Sequence, residues 1–186
     1  MTTNPHKNIC VYAASSNAIA PHFFLDAREL GTRMALAGVG LVYGAGCTGL
    51  MGEVARAVHA SGGKVTGVIP TYLRRDGLCY EECDELIVTP DLRERKAIME
   101  SLADGFIGLP GGFGTLEEIL EIITLKQLEV HEKPIVILNT GGYYDPLAAL
   151  FDNAFDQGFT RNRFRDTYTV VSSAAKALET LGVASQ

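Results

Sequence analysis

Apolar residues fall along the chain in two alternating patterns. Short runs of β-branched and aliphatic residues predict strands at Ile9 to Tyr12, Val39 to Tyr43, Val65 to Ile69, Leu86 to Val88, Phe106 to Leu109, Ile135 to Leu138 and Tyr168 to Val171. Between most of them, apolar positions recur at helical spacing over Phe23 to Ala37, Leu50 to His59, Arg93 to Ala103, Thr115 to Val130, Pro146 to Gln157 and Ser173 to Leu181. The strand runs are nearly continuous in hydrophobicity, as expected of strands covered on both faces. The expected fold is therefore α/β: a doubly wound, mostly parallel sheet with helices on both faces, Rossmann-like, in a single domain spanning the chain. Pro70 to Glu85 is polar, carries Arg74-Arg75-Asp76-Gly77, and is expected to be a structureless lid or subunit contact.

Composition narrows the classes. With 186 residues, 47% hydrophobic and 20% charged, the chain can bury a core without staples and is too apolar to be disordered. No run approaches the ~18 apolar residues of a membrane span. The first residues lack the apolar stretch of a secretory signal, so a cytoplasmic location is expected. A net charge of -6 argues against a general nucleic-acid binder. Cys10, Cys47, Cys79 and Cys83 are too scattered for a disulfide framework and read as reduced thiols.

Ligand sites in such sheets lie beyond the carboxyl ends of the strands, and the glycines gather there. Pro110-Gly111-Gly112-Phe113-Gly114-Thr115-Leu116-Glu117-Glu118 follows one predicted strand and opens a helix. Glycines let backbone approach a ligand closely, and a helix start offers unpaired N–H groups, so this turn reads as a phosphate cradle. Thr115 would serve as N-cap or phosphate donor. No Lys-Ser/Thr pair follows the glycines, which disfavours nucleoside triphosphate hydrolysis. Glu117 and Glu121 are like charges four residues apart, a pairing that a purely structural helix would avoid. Glu118, on the first turn, could reach a bound ligand. Arg93-Glu94-Arg95-Lys96, at the start of the preceding predicted helix, is either a solvated charged face or an anion clamp. Gly44-Ala45-Gly46-Cys47-Thr48-Gly49 is formally a G-x-G-x-x-G, but the next strand ends without the acid that a dinucleotide site needs, leaving a loop that lines a mononucleotide pocket. Ser15 and Ser16 either donate to a ligand or cap their turn. Neither the cysteines nor the histidines show metal-ligand spacing, so no metal is expected, and no G-x-S-x-G elbow is present.

These segments resemble one family closely. Pro110 to Glu118 matches the P-G-G-x-G-T-x-x-E hallmark of the LOG (Lonely guy) proteins, cytokinin riboside 5′-monophosphate phosphoribohydrolases long mislabelled as lysine decarboxylases. Leu92-Arg93-Glu94-Arg95-Lys96 matches their Arg-Lys motif, with Leu-Arg where Met-His is usual. Gly44 to Gly52 matches their G-L-M-G segment, with Ala45 where glycine is common. Val65 to Pro70, His131 to Pro134 and Gly142 to Pro146 are also similar to family segments, so the likeness runs from Ile9 to about Arg165. It implies hydrolysis of the N-glycosidic bond of a purine nucleoside 5′-monophosphate, with Arg95 and Glu118 as the catalytic pair. Lys96, Gly111, Gly112, Phe113, Gly114, Thr115, Leu116, Glu117 and Thr124, with Ser15, Gly44 and Gly46, would bind substrate. It also implies a homodimer with sites near the subunit contact, for which the helix Thr115 to Val130 and the Pro70 to Glu85 loop are candidates. Where relatives carry a substrate-contacting Glu, this chain has Gly77; Asp76 or Glu81 substitutes, or the contact is absent. Ala13-Ala14-Ser15-Ser16 replaces the usual Cys-Gly-Ser-Ser. Glycosidic cleavage passes through an oxocarbenium-like state that a carboxylate can stabilise, and no cofactor is needed. A pyridoxal-phosphate decarboxylase would need a Schiff-base lysine with a pyridinium partner, and nothing in the sequence warrants one. Two readings compete: a nucleotide-binding or cofactor-carrier module using the same cradle without chemistry, and, more weakly, a dinucleotide-dependent enzyme.

Overall fold

The computed structural model describes residues 7–183. Seven strands form one sheet: β1 (Asn8–Tyr12), β2 (Gly40–Tyr43), β3 (Val65–Pro70), β4 (Glu85–Thr89), β5 (Gly105–Gly108), β6 (Ile135–Leu138) and β7 (Thr169–Val171). Their spatial order is β4-β3-β2-β1-β5-β6-β7. Every neighbouring pair is parallel. The helices are α1 (Pro21–Leu36), α2 (Gly49–Ala60), α3 (Leu92–Leu102), α4 (Phe113–Gln127), α5 (Asp145–Asp156) and α6 (Ala174–Thr180). This is the expected doubly wound fold. None of these helices is long and apolar enough to cross a membrane.

The continuous hydrophobic runs divide by alternation. In β1, Ile9 and Val11 enter a core with Leu30 and Met34 of α1, Val54 and Val58 of α2, and Leu178 of α6. The intervening Cys10 and Tyr12 enter a second core with Met99 of α3 and Ile119, Ile122 and Ile123 of α4. Side chains alternate across a strand, so burial on both faces requires apolar residues at every position. The chain winds outward from β1 to β4, then returns through α3 to β5 on the other side of β1. The winding therefore reverses between β1 and β5, and a crevice opens beyond their carboxyl ends, the place where doubly wound sheets bind ligands.

Two boundaries differ from expectation in ways that matter. Helix α4 begins at Phe113, with Gly112 as N-cap, rather than at Thr115. At its other end Glu129 adopts φ 60°, with Glu129 N–H on Lys126 O and Val130 N–H on Leu125 O. That is a Schellman stop with glutamate in the left-handed position. The same hydrogen-bond pattern ends α1 at Gly38, where glycine takes that conformation without strain. Glu129 lacks that sequence signature, which is why periodicity alone carried the expected helix on to Val130.

The Pro70 to Glu85 segment is not structureless. It holds a short 3₁₀ turn (Thr71–Leu73) and is stitched to the β2–α2 loop by a Gly46–Cys79 bridge, with Cys47 N–H on Leu78 O and Tyr80 N–H on Ala45 O. Tyr80 is buried, and its hydroxyl lies 2.9 Å from His59 Nδ1 of α2. The segment forms a fixed wall on the crevice.

Candidate active site

The β5–α4 turn is held from behind. Leu109 N–H bonds Tyr12 O, and Ala14 N–H bonds Pro110 O, so the β1–β5 ladder continues into the turn. The Tyr144 hydroxyl donates to Leu109 O and the Tyr143 hydroxyl to Gly111 O, each at 2.7 Å. These contacts fix a rigid support for the three glycines, whose requirements differ. A Cβ on Gly111 would lie 2.1 Å from Thr115 Oγ1, so that glycine makes room for the buried threonine. A Cβ on Gly112 or Gly114 would meet nothing within 4 Å, and neither has a positive φ. Neither packing nor backbone conformation requires glycine there; close approach of an outside group would. Gly112 also offers no side chain to cap the helix, so the first N–H groups of α4 have no side-chain partner. Phosphate chemistry suits such a helix start. Thr115 lies inside the helix and is not its N-cap.

Beside this turn, Arg95 and Glu118 meet in a shielded pair. Asp91 caps α3, accepting from the N–H groups of Arg93 and Glu94 at 2.8 and 2.9 Å, and thereby orients the helix that carries Arg95. Arg95 Nε donates to Val68 O of β3, and its Nη1 donates to Glu118 Oε1, both at 3.0 Å. The two side chains retain only 11% and 12% exposure. Burial dominates the carboxyl and pushes the Glu118 pKa above the ordinary glutamate value; Arg95 opposes this without overcoming it. An arginine at this distance would by itself keep the carboxylate ionised, so desolvation decides the direction.

A cavity of about 500 Å³ connects these parts. Ser15, Gly44, Gly46, Arg95, Gly112, Phe113, Gly114, Thr115 and Glu118 line it, so most of the candidate residues converge. Both serines line the cavity, and Ser16 also caps its turn, its Oγ accepting from Ala18 N–H at 3.1 Å. Lys96, Gly111, Leu116, Glu117 and Thr124 do not line the cavity. Lys96 Nζ binds Glu117 and, at 2.8 Å, Glu121. The like-charged pair on α4 thus has a lysine between its members, a contact across helices that spacing could not reveal. Thr124 sits farther along α4 with its hydroxyl on Leu120 O, facing a surface groove shared with Phe113, Leu116, Glu117 and Leu120.

The second glycine loop is used differently. Gly49 N–H of α2 is taken by Asn17 Oδ1, and Met51 N–H by Ala14 O. Two N–H groups at the start of α2 are therefore taken by protein groups, which adds a physical reason against a dinucleotide there. Ala45, where the resemblance leads one to expect glycine, is held at φ 54° and completely buried. At the fixed wall, Gly77 O accepts from the Cys47 thiol, and Glu81 is paired with Arg74 at 2.8 Å. Neither Asp76 nor Glu81 lines the cavity; Leu73, Leu78, Ile69 and Met51 do, giving it an apolar side opposite the glycine turn. Sequence reasoning missed that apolar wall, and also the Val68 carbonyl that holds Arg95, because a backbone acceptor leaves no trace in residue type.

Comparison with known proteins identifies the family and the fold. Residues 51–181 match the family described as "Possible lysine decarboxylase". The chain is 43% identical over 178 residues to cytokinin riboside 5′-monophosphate phosphoribohydrolase LOG7 of Arabidopsis thaliana, covering 96% of this chain and 81% of that protein. It is also 43% identical over 173 residues to the LOG enzyme of Oryza sativa subsp. japonica, covering 93% and 70%. Among solved structures, the molybdenum cofactor binding protein of Rippkaea orientalis superposes with a TM-score of 0.73 at 22% identity, covering 97% and 98%. The molybdenum cofactor carrier protein of Chlamydomonas reinhardtii gives 0.72 at 24%, covering 95% and 96%. At such identity these structures speak for the fold alone.

Proposed function

This chain belongs to the LOG family of cytokinin riboside 5′-monophosphate phosphoribohydrolases, and from that premise we propose that it hydrolyses the N-glycosidic bond of purine riboside 5′-monophosphates such as AMP or N6-isopentenyl-AMP. The products are the free base and ribose 5-phosphate, an N-glycosidase reaction. The observation that carries the reading is the shielded Arg95–Glu118 pair beside a helix start whose glycines face open space. In this reading the N–H groups at Gly112 to Thr115 hold the 5′-phosphate, and the anomeric carbon then lies at Glu118. As the C1′–N bond breaks, the bonding electrons leave with the base and positive charge grows on the ribose ring, offset by the carboxylate. Water adds to C1′; Glu118 takes its proton and returns one to the departing base. Arg95 aims the carboxylate. Phosphate binding away from the reacting bond offsets the cost of distorting the sugar. The apolar wall of Met51, Ile69, Leu73 and Leu78 suits a base and an alkyl substituent.

A carrier function would use the same cradle but leaves Glu118 unexplained, since a carboxylate near a bound anion opposes binding. Chromatography of wild-type protein with a panel of adenine, guanine, pyrimidine and isopentenyl-adenine monophosphates separates the two. Release of base and ribose 5-phosphate is expected; thermal stabilisation by AMP without base release would favour the carrier.

We further propose a homodimer built on the outer side of α4. Phe113 is 93% exposed at the start of α4, Leu120 is exposed two turns on, and Leu128 and Val130 are exposed past its far end, apolar side chains that water would disfavour on a monomer. Phe113 also lines the cavity, which supports a contact near its mouth. Sedimentation is expected to give twice the chain mass, and Leu120→Asp to give the monomer; a wild-type monomer at working concentration would refute the assembly. The four thiols, all free, accord with a reducing, cytoplasmic setting.

A further inference from the structure

Resting on the catalytic reading of Arg95 and Glu118, we infer that Gly44 is a positioning residue: its missing Cβ is the slot that holds the Arg95 guanidinium against Glu118. Gly44 is buried at the end of β2 and does not adopt a positive φ, so its conformation does not require glycine. A Cβ there would lie 1.6 Å from Arg95 Nη2, 2.8 Å from its Cζ and 2.9 Å from Met51 Cε. The Met51 methyl ends a flexible side chain and can swing away. The guanidinium cannot move freely, because Val68 O holds Nε and Glu118 holds Nη1. Three edges of one planar group are thus fixed by β3, α4 and the bare backbone following β2. A methyl at position 44 must break at least one of the two hydrogen bonds, and the shorter route is rotation away from Glu118.

Gly44→Ala is therefore expected to lower kcat for AMP hydrolysis by about a hundredfold or more, the cost of displacing a catalytic group by about an ångström. KM should change by less than about threefold, because the phosphate turn on α4 is untouched. The acid limb of the kcat profile should move to higher pH as the Arg95 charge withdraws from Glu118. In an Arg95→Ala background, Gly44→Ala should lower neither kcat nor the unfolding midpoint further. If Gly44→Ala alone fails to fold, the double variant should fold. Equal losses from Gly44→Ala in both backgrounds, wild-type kcat in the single variant, or a double variant that does not fold would each overturn the assignment. The unfolding cycle needs no turnover: wild-type protein that releases no base would refute the proposed reaction, while the cycle would still decide whether Gly44 holds Arg95.

Discussion

Glu118→Gln is expected to lower base release from AMP by about 10²- to 10⁴-fold, the range that a positioned acid–base group supplies, while the protein folds normally. Glutamine keeps an acceptor for Arg95 but can neither offset ring charge nor take a proton. Stability should move the other way. Burial raises the Glu118 pKa above its ordinary value of 4.5, so between that value and the raised one the native state binds more protons than the unfolded state. Native stability therefore falls as pH climbs through that window, and the deficit persists above it. A neutral isostere removes the deficit, so at pH 7 the thermal midpoint of Glu118→Gln should equal or exceed that of wild type. Wild-type turnover should fall on acidification with a midpoint above 4.5. Arg95→Ala should carry that midpoint higher still, because Arg95, more than Lys96, holds it down. Full activity in Glu118→Gln would remove the residue from the chemistry.

The glycine turn supplies the second large effect, through a contrast within one motif. Gly114→Ala should fold as stably as wild type, or slightly more so, because its methyl enters open space and alanine restricts the unfolded chain. Gly112→Ala also meets open space but should lose about 0.5–1 kcal/mol, because Gly112 is the N-cap of α4 and alanine caps less well than glycine. Both should raise KM for AMP by about 10- to 100-fold, the loss of one or two charge-assisted hydrogen bonds to phosphate. Gly111→Ala should do the reverse: its methyl strikes Thr115 and should cost about 1–3 kcal/mol of stability as an overpacked site. Thermal unfolding with and without AMP, alongside KM, reads all three. AMP binding unchanged in the Gly112 and Gly114 variants would detach the phosphate from this turn.

Where residue type determines structure directly, the sequence was readable. Every predicted strand appears; in β1, β5 and β6 two-sided burial leaves an unbroken apolar run, while the half-exposed edge strands β4 and β7 were legible from their β-branched and aliphatic residues. The glycine turn and Glu118 were legible because a costly residue pattern sits at a strand end. Features that depend on distant contacts were not. Glu129 ends α4 without a glycine to announce it. Lys96 reconciles Glu117 with Glu121 from another helix. Gly44 was readable as a glycine near a ligand, whereas its nearest neighbour is a guanidinium from a residue 51 positions away (95 − 44). The direction of the Glu118 shift depends on how thoroughly the fold excludes water, which no local motif encodes.

A crystal structure of Glu118→Gln soaked with AMP tests the central arrangement most directly. The expected density places phosphate oxygens about 3 Å from the N–H groups between Gly112 and Thr115, with C1′ about 3.5 Å from the side chain at position 118, a reactive approach distance. A phosphate bound on another part of the fold, or a ribose whose C1′ lies beyond about 6 Å from that side chain, would contradict it.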